Sequence, residues 1–496
     1  MNKKVLVIGS GFAGLSAATA LADKGYQVQI LEKNDQPGGR ARAFSADGFT
    51  FDMGPSWYWM PDVFERYFQS YGKSVADYYS LERLDPSYRV YFGAQDYLDI
   101  PAGLERCVEL FESIEAGSGL KLRKFMEESA YKYEVGIKDL VYRPGRSLLE
   151  FADWRIAKGL FQLDLLKSIR SYVHQHFQNP RLRQLMEFPI LFLGGTPKNT
   201  PALYSLMNYA DMELGTWFPK GGMVEIVEAM VALAKEKGVE IVTSSPVRNL
   251  KVATGGHISG AECDNATYTA DIVVAGADYH HVEQQLLPAA YRQYSPQYWE
   301  KRDMAPSSLL YYLGVSKKVE GLLHHTLCFD ESFDEHAAQL YDHPQWPKKP
   351  LFYVSATSKT DPNAAPEGKE NLFLLVPTAP GLVDTDSVKK DYLHLLMARI
   401  KKLTGENLEH SIEYQRSFAT SDFVSDYNSF KGNAYGLANT LRQTAILKPS
   451  LKSKKVNNLY YTGQLTVPGP GVPPSLISGQ VVADEIEKDY AKALAV

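Results

Sequence analysis

The first 32 residues constrain this chain more than any other stretch. Lys3-Lys4-Val-Leu-Val-Ile8 reads as a short, buried, parallel strand, rich in β-branched residues and flanked by charge and glycine. Gly9-Ser10-Gly11-Phe12-Ala13-Gly14 follows, then an alanine-rich helical run to Ala22, a stop at Gly25, and a second strand from Tyr26 to Leu31 that closes on Glu32. A glycine triplet alone is weak evidence. Strand, turn, helix, strand and a carboxylate 18 positions beyond Gly14 together specify a dinucleotide-binding unit. Gly9 permits the tight turn, Gly11 lets backbone amides approach a pyrophosphate, and Gly14 lets the helix pack against the strand. The helix start lends partial positive charge to the phosphates, and Glu32 can accept hydrogen bonds from a ribose. Ser10, Ala13 and Lys33 complete the candidate residues of this segment.

At 496 residues the chain exceeds one minimal core, and the usual domain size points to about two to four domains. Its 53 basic and 58 acidic side chains leave a net charge of −5, which excludes the basic footprint of a general nucleic-acid binder. Cys107, Cys263 and Cys328 are too few and too scattered for a disulfide framework or a zinc knuckle, so a reducing compartment is expected. No apolar run approaches the roughly 18 residues of a membrane-spanning helix. The apolar stretch after Lys4 is too short for a signal peptide. A cytoplasmic protein, peripherally associated with a membrane face, is expected. Aromatics make up 12% of the chain, enough to line a large apolar site.

A second glycine turn, Pro37-Gly-Gly39-Arg40-Ala41-Arg42, carries two guanidiniums and leads into Phe49-Thr-Phe-Asp52-Met-Gly54-Pro55-Ser56. With this extension the sequence resembles the flavoprotein amine oxidase and carotenoid desaturase superfamily. The resemblance implies FAD, with Gly39, Arg40 and Ala41 at its phosphates and Gly54, Pro55, Ser56 and Trp57 passing near the isoalloxazine. Arg42 is expected as part of a solvated basic turn. The landmark Gly215-Thr-Trp217-Phe-Pro-Lys220-Gly-Gly222 precedes a helix from Val224 to Lys237, a strand ending at Val242, and Val247. In the superfamily this is where the chain returns to the FAD domain, and Val247 would meet the adenine end. Asp278 follows a strand and is expected to cap a helix starting near Tyr279.

The middle of the chain shows helical spacings from Leu104 to Phe125 and from Leu160 to Phe177, and apolar runs at Leu309–Val315, Leu351–Ser355 and Leu372–Val376 suggest an antiparallel sheet. His174 and His176 point to different faces, and the adjacent pairs His280-His281 and His324-His325 diverge, so no metal site is expected. Near the C-terminus, Asn458-Leu-Tyr-Tyr-Thr-Gly463-Gln464 runs into Pro468-Gly-Pro-Gly471-Val472-Pro473-Pro474. A helix is expected from about Pro474 to Tyr490, its positive end facing whatever precedes it. This block is similar to that of phytoene-type desaturases. There it meets the pyrimidine side of the flavin, with Gly463, Gln464, Gly471, Val472 and Pro473 at the cofactor.

The expected fold is α/β: a Rossmann-type FAD-binding domain (residues 1–75, 216–290 and 430–496) with a discontinuous α+β substrate domain (residues 76–215 and 291–429). The resemblance implies a phytoene desaturase that forms a lycopene-like product by hydride transfer to flavin with loss of a proton. No residue is singled out as the base, and no metal is expected. The implied partners are a long-chain carotenoid hydrocarbon and a membrane surface; Trp57, Tyr58, Trp59 and Met60 are candidates to face that membrane or, equally, to form a buried cluster beside the flavin. Other members of the superfamily leave further options: a carotenoid 3,4- or 1,2-desaturase, a carotenoid isomerase, an amine or porphyrinogen oxidase, or a non-catalytic prenyl-binding module.

Overall fold

A computed structural model describes residues 3–147, 150, 167–440 and 443–494. Five strands, all parallel, form a sheet in the order Leu459–Tyr461, Ile272–Ala275, Lys4–Ile8, Gln27–Leu31, Glu240–Val242. Its central pairings join distant stretches of chain: Val5 lies opposite Ile272, and Val273 opposite Leu459. Parallel strands need cover on both faces. On one face the helix Phe12–Asp23 packs between Val472–Leu494 and Val224–Glu236. On the other, Leu6, Ile8 and Val273 pack with Leu250 and Ile258 of a three-stranded antiparallel layer. The expected first unit forms with the strand, helix and strand in the expected places.

A second sheet has seven strands in the order Ile412–Phe418, Ser307–Val315, Glu370–Thr378, Phe352–Ser355, His325–Cys328, Tyr88–Gly93, Asp96–Ile100. The three apolar runs noted in the sequence form its antiparallel centre. One pairing is parallel, between His325–Cys328 and Tyr88–Gly93. The strand Ser307–Val315 is buried along its whole length because its alternating side chains serve two layers. Leu309, Tyr311 and Leu313 pack with Leu396 and Ile400 of the helix Asp386–Thr404, whereas Leu310 and Tyr312 face the main core.

The helical run expected from Leu104 to Phe125 is two helices, Leu104–Ile114 and Ser118–Tyr133: the extended backbone of Glu115 ends the first, and Gly117, with φ 78°, turns the chain into the second. Of the run expected from Leu160 to Phe177, the helix Ile169–His176 is described, and residues 151–166 lie outside the described residues. The C-terminal helix begins at Val472, two residues before the expected start. Among the described residues no helix is long and apolar enough to cross a membrane.

Candidate active site

The turn after the first strand opens onto a cavity of about 670 Å³ at the carboxyl ends of the parallel strands, the position where open α/β sheets bind ligands. Gly9 N–H donates to the Leu31 carbonyl at 2.8 Å, tying the turn to the second strand. The two following glycines differ in kind. A Cβ on Gly14 would lie 2.0 Å from the Gly9 carbonyl oxygen, so this glycine serves helix packing. A Cβ on Gly11 would meet nothing within 4 Å and would project into open space. Glu32 is held at the rim: Oε2 accepts from Ser10 N at 2.8 Å and from Ser10 Oγ at 2.6 Å, and Oε1 accepts from Asn34 N at 2.9 Å.

Arg40 is half-buried in the same wall. Its Nη2 donates to Ser429 Oγ and, at 3.2 Å, to the Asn433 carbonyl. With the Gln464 amide oriented to suit its surroundings, Oε1 accepts from Arg40 Nη1 at 3.2 Å and Nη2 at 2.9 Å. The guanidinium also lies 5.1 Å from the Tyr427 ring centre. Among the described residues Arg40 has no carboxylate within ion-pair distance, and its buried Nε has no hydrogen-bond partner. With no carboxylate in contact and only the Asp278 charge acting on it, this guanidinium has room for an anion from elsewhere.

The opposite end of the cavity is apolar. Phe188, Leu310, Leu327, Phe329, Phe352, Phe373 and Leu375 line it. Trp57 borders it, its indole stacked on His325 with ring centres 4.1 Å apart and planes 11° from parallel. Between the two halves lie Gly54, Pro55 and Ser56 from one terminus and Gly463, Gln464, Gly471, Val472 and Pro473 from the other. Pro473 and Pro474 carry no N–H, and Ser475 N donates to the Gly471 carbonyl at 3.0 Å. The terminus therefore presents its dipole and the Val472 amide rather than a row of amides.

Every sequence-predicted site residue lines this cavity except Ser10 and Gly14: Gly9, Gly11, Ala13, Glu32, Lys33, Gly39, Arg40, Ala41, Trp57 and Val247 join those named above. Ser10 is wholly buried behind the turn, orienting Glu32, and Gly14 faces Gly9 inside the fold. Other expectations are corrected. Arg42 is not solvated: it is buried, pairs with Asp426 at 2.6 Å and donates to Tyr427 Oη at 3.3 Å. Of the two readings of Trp57 to Met60 the structure has the inward one: Tyr58, Trp59 and Met60 are buried, and Trp59 and Met60 line the cavity with Trp57. Asp278 both caps, accepting from His281 N at 3.1 Å, and borders the cavity, where burial lifts its carboxyl to about 6. Asp426, Tyr427, Asn428, Ala434 and Tyr435 were missed in the sequence. They come from the end of the helix Thr420–Tyr427 and the stretch after it, some 390 residues from Arg40, with no local pattern to mark them.

The sequence matches the pattern of the family described as flavin containing amine oxidoreductase over residues 12–487. The chain belongs to the flavin-containing amine oxidoreductase family. It is 43% identical to a carotenoid 3,4-desaturase of Haloarcula japonica across 99% of both chains. It is 33% identical to a zeta-carotene-forming phytoene desaturase of Myxococcus xanthus, covering 98% of this chain and 94% of that one. A solved structure of a putative protoporphyrinogen oxidase from Exiguobacterium sp. 255-15 shares the fold, with TM-score 0.62 and 14% identity over 99% of both chains. As a member of this family the protein is an FAD-dependent oxidoreductase, and its residues fit the cofactor. Arg40 lacks the anion that a pyrophosphate would provide, and the space beside Gly11 is open on the same wall.

Behind the cavity wall, Trp59 Nε1 donates to Thr216 Oγ1 at 2.8 Å, Thr216 donates to Asp211 Oδ1 at 3.3 Å, and Tyr88 Oη donates to Asp211 Oδ2 at 2.6 Å. Burial nevertheless lifts the Asp211 carboxyl from 3.8 to about 7. A raised folded-state pKa gives stability that is complete below pH 3.8 and disappears as pH rises through 7. At about 1.4 kcal/mol per unit, the loss is at most about 4 kcal/mol. Between pH 4 and pH 8 the wild-type apoprotein should lose more unfolding free energy than Asp211→Asn, by about 2–4 kcal/mol in denaturant titrations.

Proposed function

We propose that this oxidoreductase is a carotenoid desaturase acting on an acyclic polyene at its 3,4 bond. The observation that carries the reading is one cavity with two characters: a polar half built around Gly11, Glu32 and Arg40, and an apolar, aromatic half with no lysine or arginine among the described residues that line it. The 43% identity to a 3,4-desaturase favours that bond, and the 33% identity to a phytoene desaturase supports phytoene-to-lycopene conversion as the second reading.

The polar half and the residues between the halves are the proposed FAD site, on the sheet formed by residues 1–75, 216–290 and 430–496. Residues 76–215 and 291–429 form the proposed substrate domain. When bound, FAD supplies the two-electron acceptor for the hydride. The chain's own part is positioning. Phe188, Phe329 and Phe373 hold the hydrocarbon by contact and exclude water, so that one C–C bond lies beside the Gly54 to Trp57 segment. The substrate dissolves in bilayers, so we place the protein at the cytoplasmic face of a membrane, taking substrate from the lipid.

Purified protein with FAD and liposomes is expected to lengthen the conjugation of an acyclic carotenoid, seen as a red-shifted absorption of the extracted polyene. Product bearing a new 3,4 double bond supports the first reading, lycopene from phytoene the second, and unchanged carotenoid in both cases contradicts the proposal. Turnover should fall sharply without lipid or detergent.

A further inference from the structure

The apolar half of the cavity is interrupted by polar groups that a hydrocarbon cannot use as ligands. One, His336, is fully committed: Nε2 donates to the Pro377 carbonyl at 3.0 Å, and Nδ1 accepts from Leu351 N at 3.0 Å. It is a staple between strands. A second group is a hydrogen-bonded chain leading away from the cavity. Ser56 Oγ and Tyr353 Oη lie 3.0 Å apart in the wall, and Tyr353 Oη lies 2.6 Å from His325 Nδ1. His325 is wholly buried, its ring fixed against Trp57, and its Nε2 has no hydrogen-bond partner among the described residues.

We propose that Ser56, Tyr353 and His325 form the relay that takes up the proton a carotenoid loses on desaturation. This rests on the desaturase reading above. Desaturation removes a hydride from one carbon, which the bound FAD accepts, and a proton from its neighbour. The electron pair of the second C–H bond becomes the new π bond. The proton passes to Tyr353 Oη, directly or through Ser56 Oγ, while Tyr353 passes its own proton to His325 Nδ1. After product leaves, the proton returns along the same chain to water entering the cavity.

The surroundings suit a transient acceptor. Burial, with His324 beside it, holds His325 well below the ordinary histidine range, so the imidazole begins neutral with a ring nitrogen able to accept. The groups acting on the relay are His324, with ring centres 4.5 Å apart and its own Nδ1 2.7 Å from Thr360 Oγ1, together with Ser355, Trp57, Asp52 and Tyr435. No lysine or arginine is among them. A weak base suffices because the C–H bond grows acidic as its neighbour surrenders hydride, and with the two departures concerted a missing acceptor slows flavin reduction itself.

The test is anaerobic stopped-flow reduction of the enzyme-bound flavin by a carotenoid in detergent micelles. Wild type, Tyr353→Phe and His325→Gln are compared in H₂O and D₂O. Glutamine keeps a hydrogen-bonding amide near Tyr353 but cannot become a cation. Both variants are expected to bind FAD and carotenoid normally and to slow flavin reduction about 100-fold. The slowing in D₂O seen for wild type should disappear in Tyr353→Phe. In protein carrying ¹⁵N-histidine, Tyr353→Phe should also shift the His325 Nδ1 resonance. A His325→Gln rate within twofold of wild type, or a D₂O effect that survives in Tyr353→Phe, overturns the relay alone. A wild-type flavin that no carotenoid reduces overturns the desaturase reading, and the relay with it.

Discussion

Gly11→Val is expected to purify as a folded but colourless protein. The position has ordinary extended backbone geometry, with φ −69° and ψ 175°, so valine introduces no backbone strain. A Cβ there touches no protein atom within 4 Å, so the apoprotein loses nothing. The added carbons occupy space that the cofactor's pyrophosphate needs. Overfilling a packed site costs about 1–3 kcal/mol, or roughly five- to 150-fold in Kd. Flavin released on unfolding should fall accordingly, while the thermal midpoint of the apoprotein stays within a few degrees of wild type. Gly14→Ala is the contrasting control. Its Cβ would sit 2.0 Å from the Gly9 carbonyl, so it should damage the fold itself, and no excess of FAD should rescue it.

Arg40→Met should separate cofactor affinity from stability in a different way. Removing one partner of a buried, hydrogen-bonded charge pair costs about 3–5 kcal/mol, so FAD affinity is expected to fall at least about 150-fold. The apoprotein should respond far less. Its Arg40 is a half-buried cation held by Ser429, Asn433 and Gln464, with the Asp278 charge acting on it but no carboxylate in contact among the described residues. Relieving that half-buried charge offsets the lost hydrogen bonds, and apoprotein stability should change by only about 1 kcal/mol. Arg40→Lys should not restore binding, because a compact ammonium cannot reproduce the planar fork. Isothermal titration with FAD and denaturant unfolding of the apoprotein measure the two quantities independently.

The parts of this site legible in the sequence are those whose partners are near in the chain. The first strand, turn, helix and second strand contact one another within 32 residues, so their pattern carries the structure. The similarity to a known superfamily then extended the reading to Arg40, residues 54–57 and the C-terminal glycine turn. What stayed hidden depends on long-range pairing. Nothing near Arg42 signals Asp426, so a buried ion pair looked like a solvated turn. Asp52 stood out only as part of a motif. In the structure its carboxylate accepts from Met223 N at 2.9 Å and Val224 N at 3.2 Å, fixing the start of a helix 171 residues away. The strand His325–Cys328 has four residues, too short for periodicity to show, and His324 lies just before it. Its pairing with Tyr88–Gly93 and Phe352–Ser355 places His325 behind the cavity wall.

The most direct measurement is anaerobic mixing of the purified holoenzyme with an acyclic carotenoid in micelles and, separately, with primary amines and porphyrinogens, following the yellow absorption of oxidised flavin. Bleaching by the carotenoid alone, with one new carbon–carbon double bond per flavin reduced, is the predicted result. A flavin that stays oxidised with every carotenoid and bleaches with an amine or a porphyrinogen would contradict it.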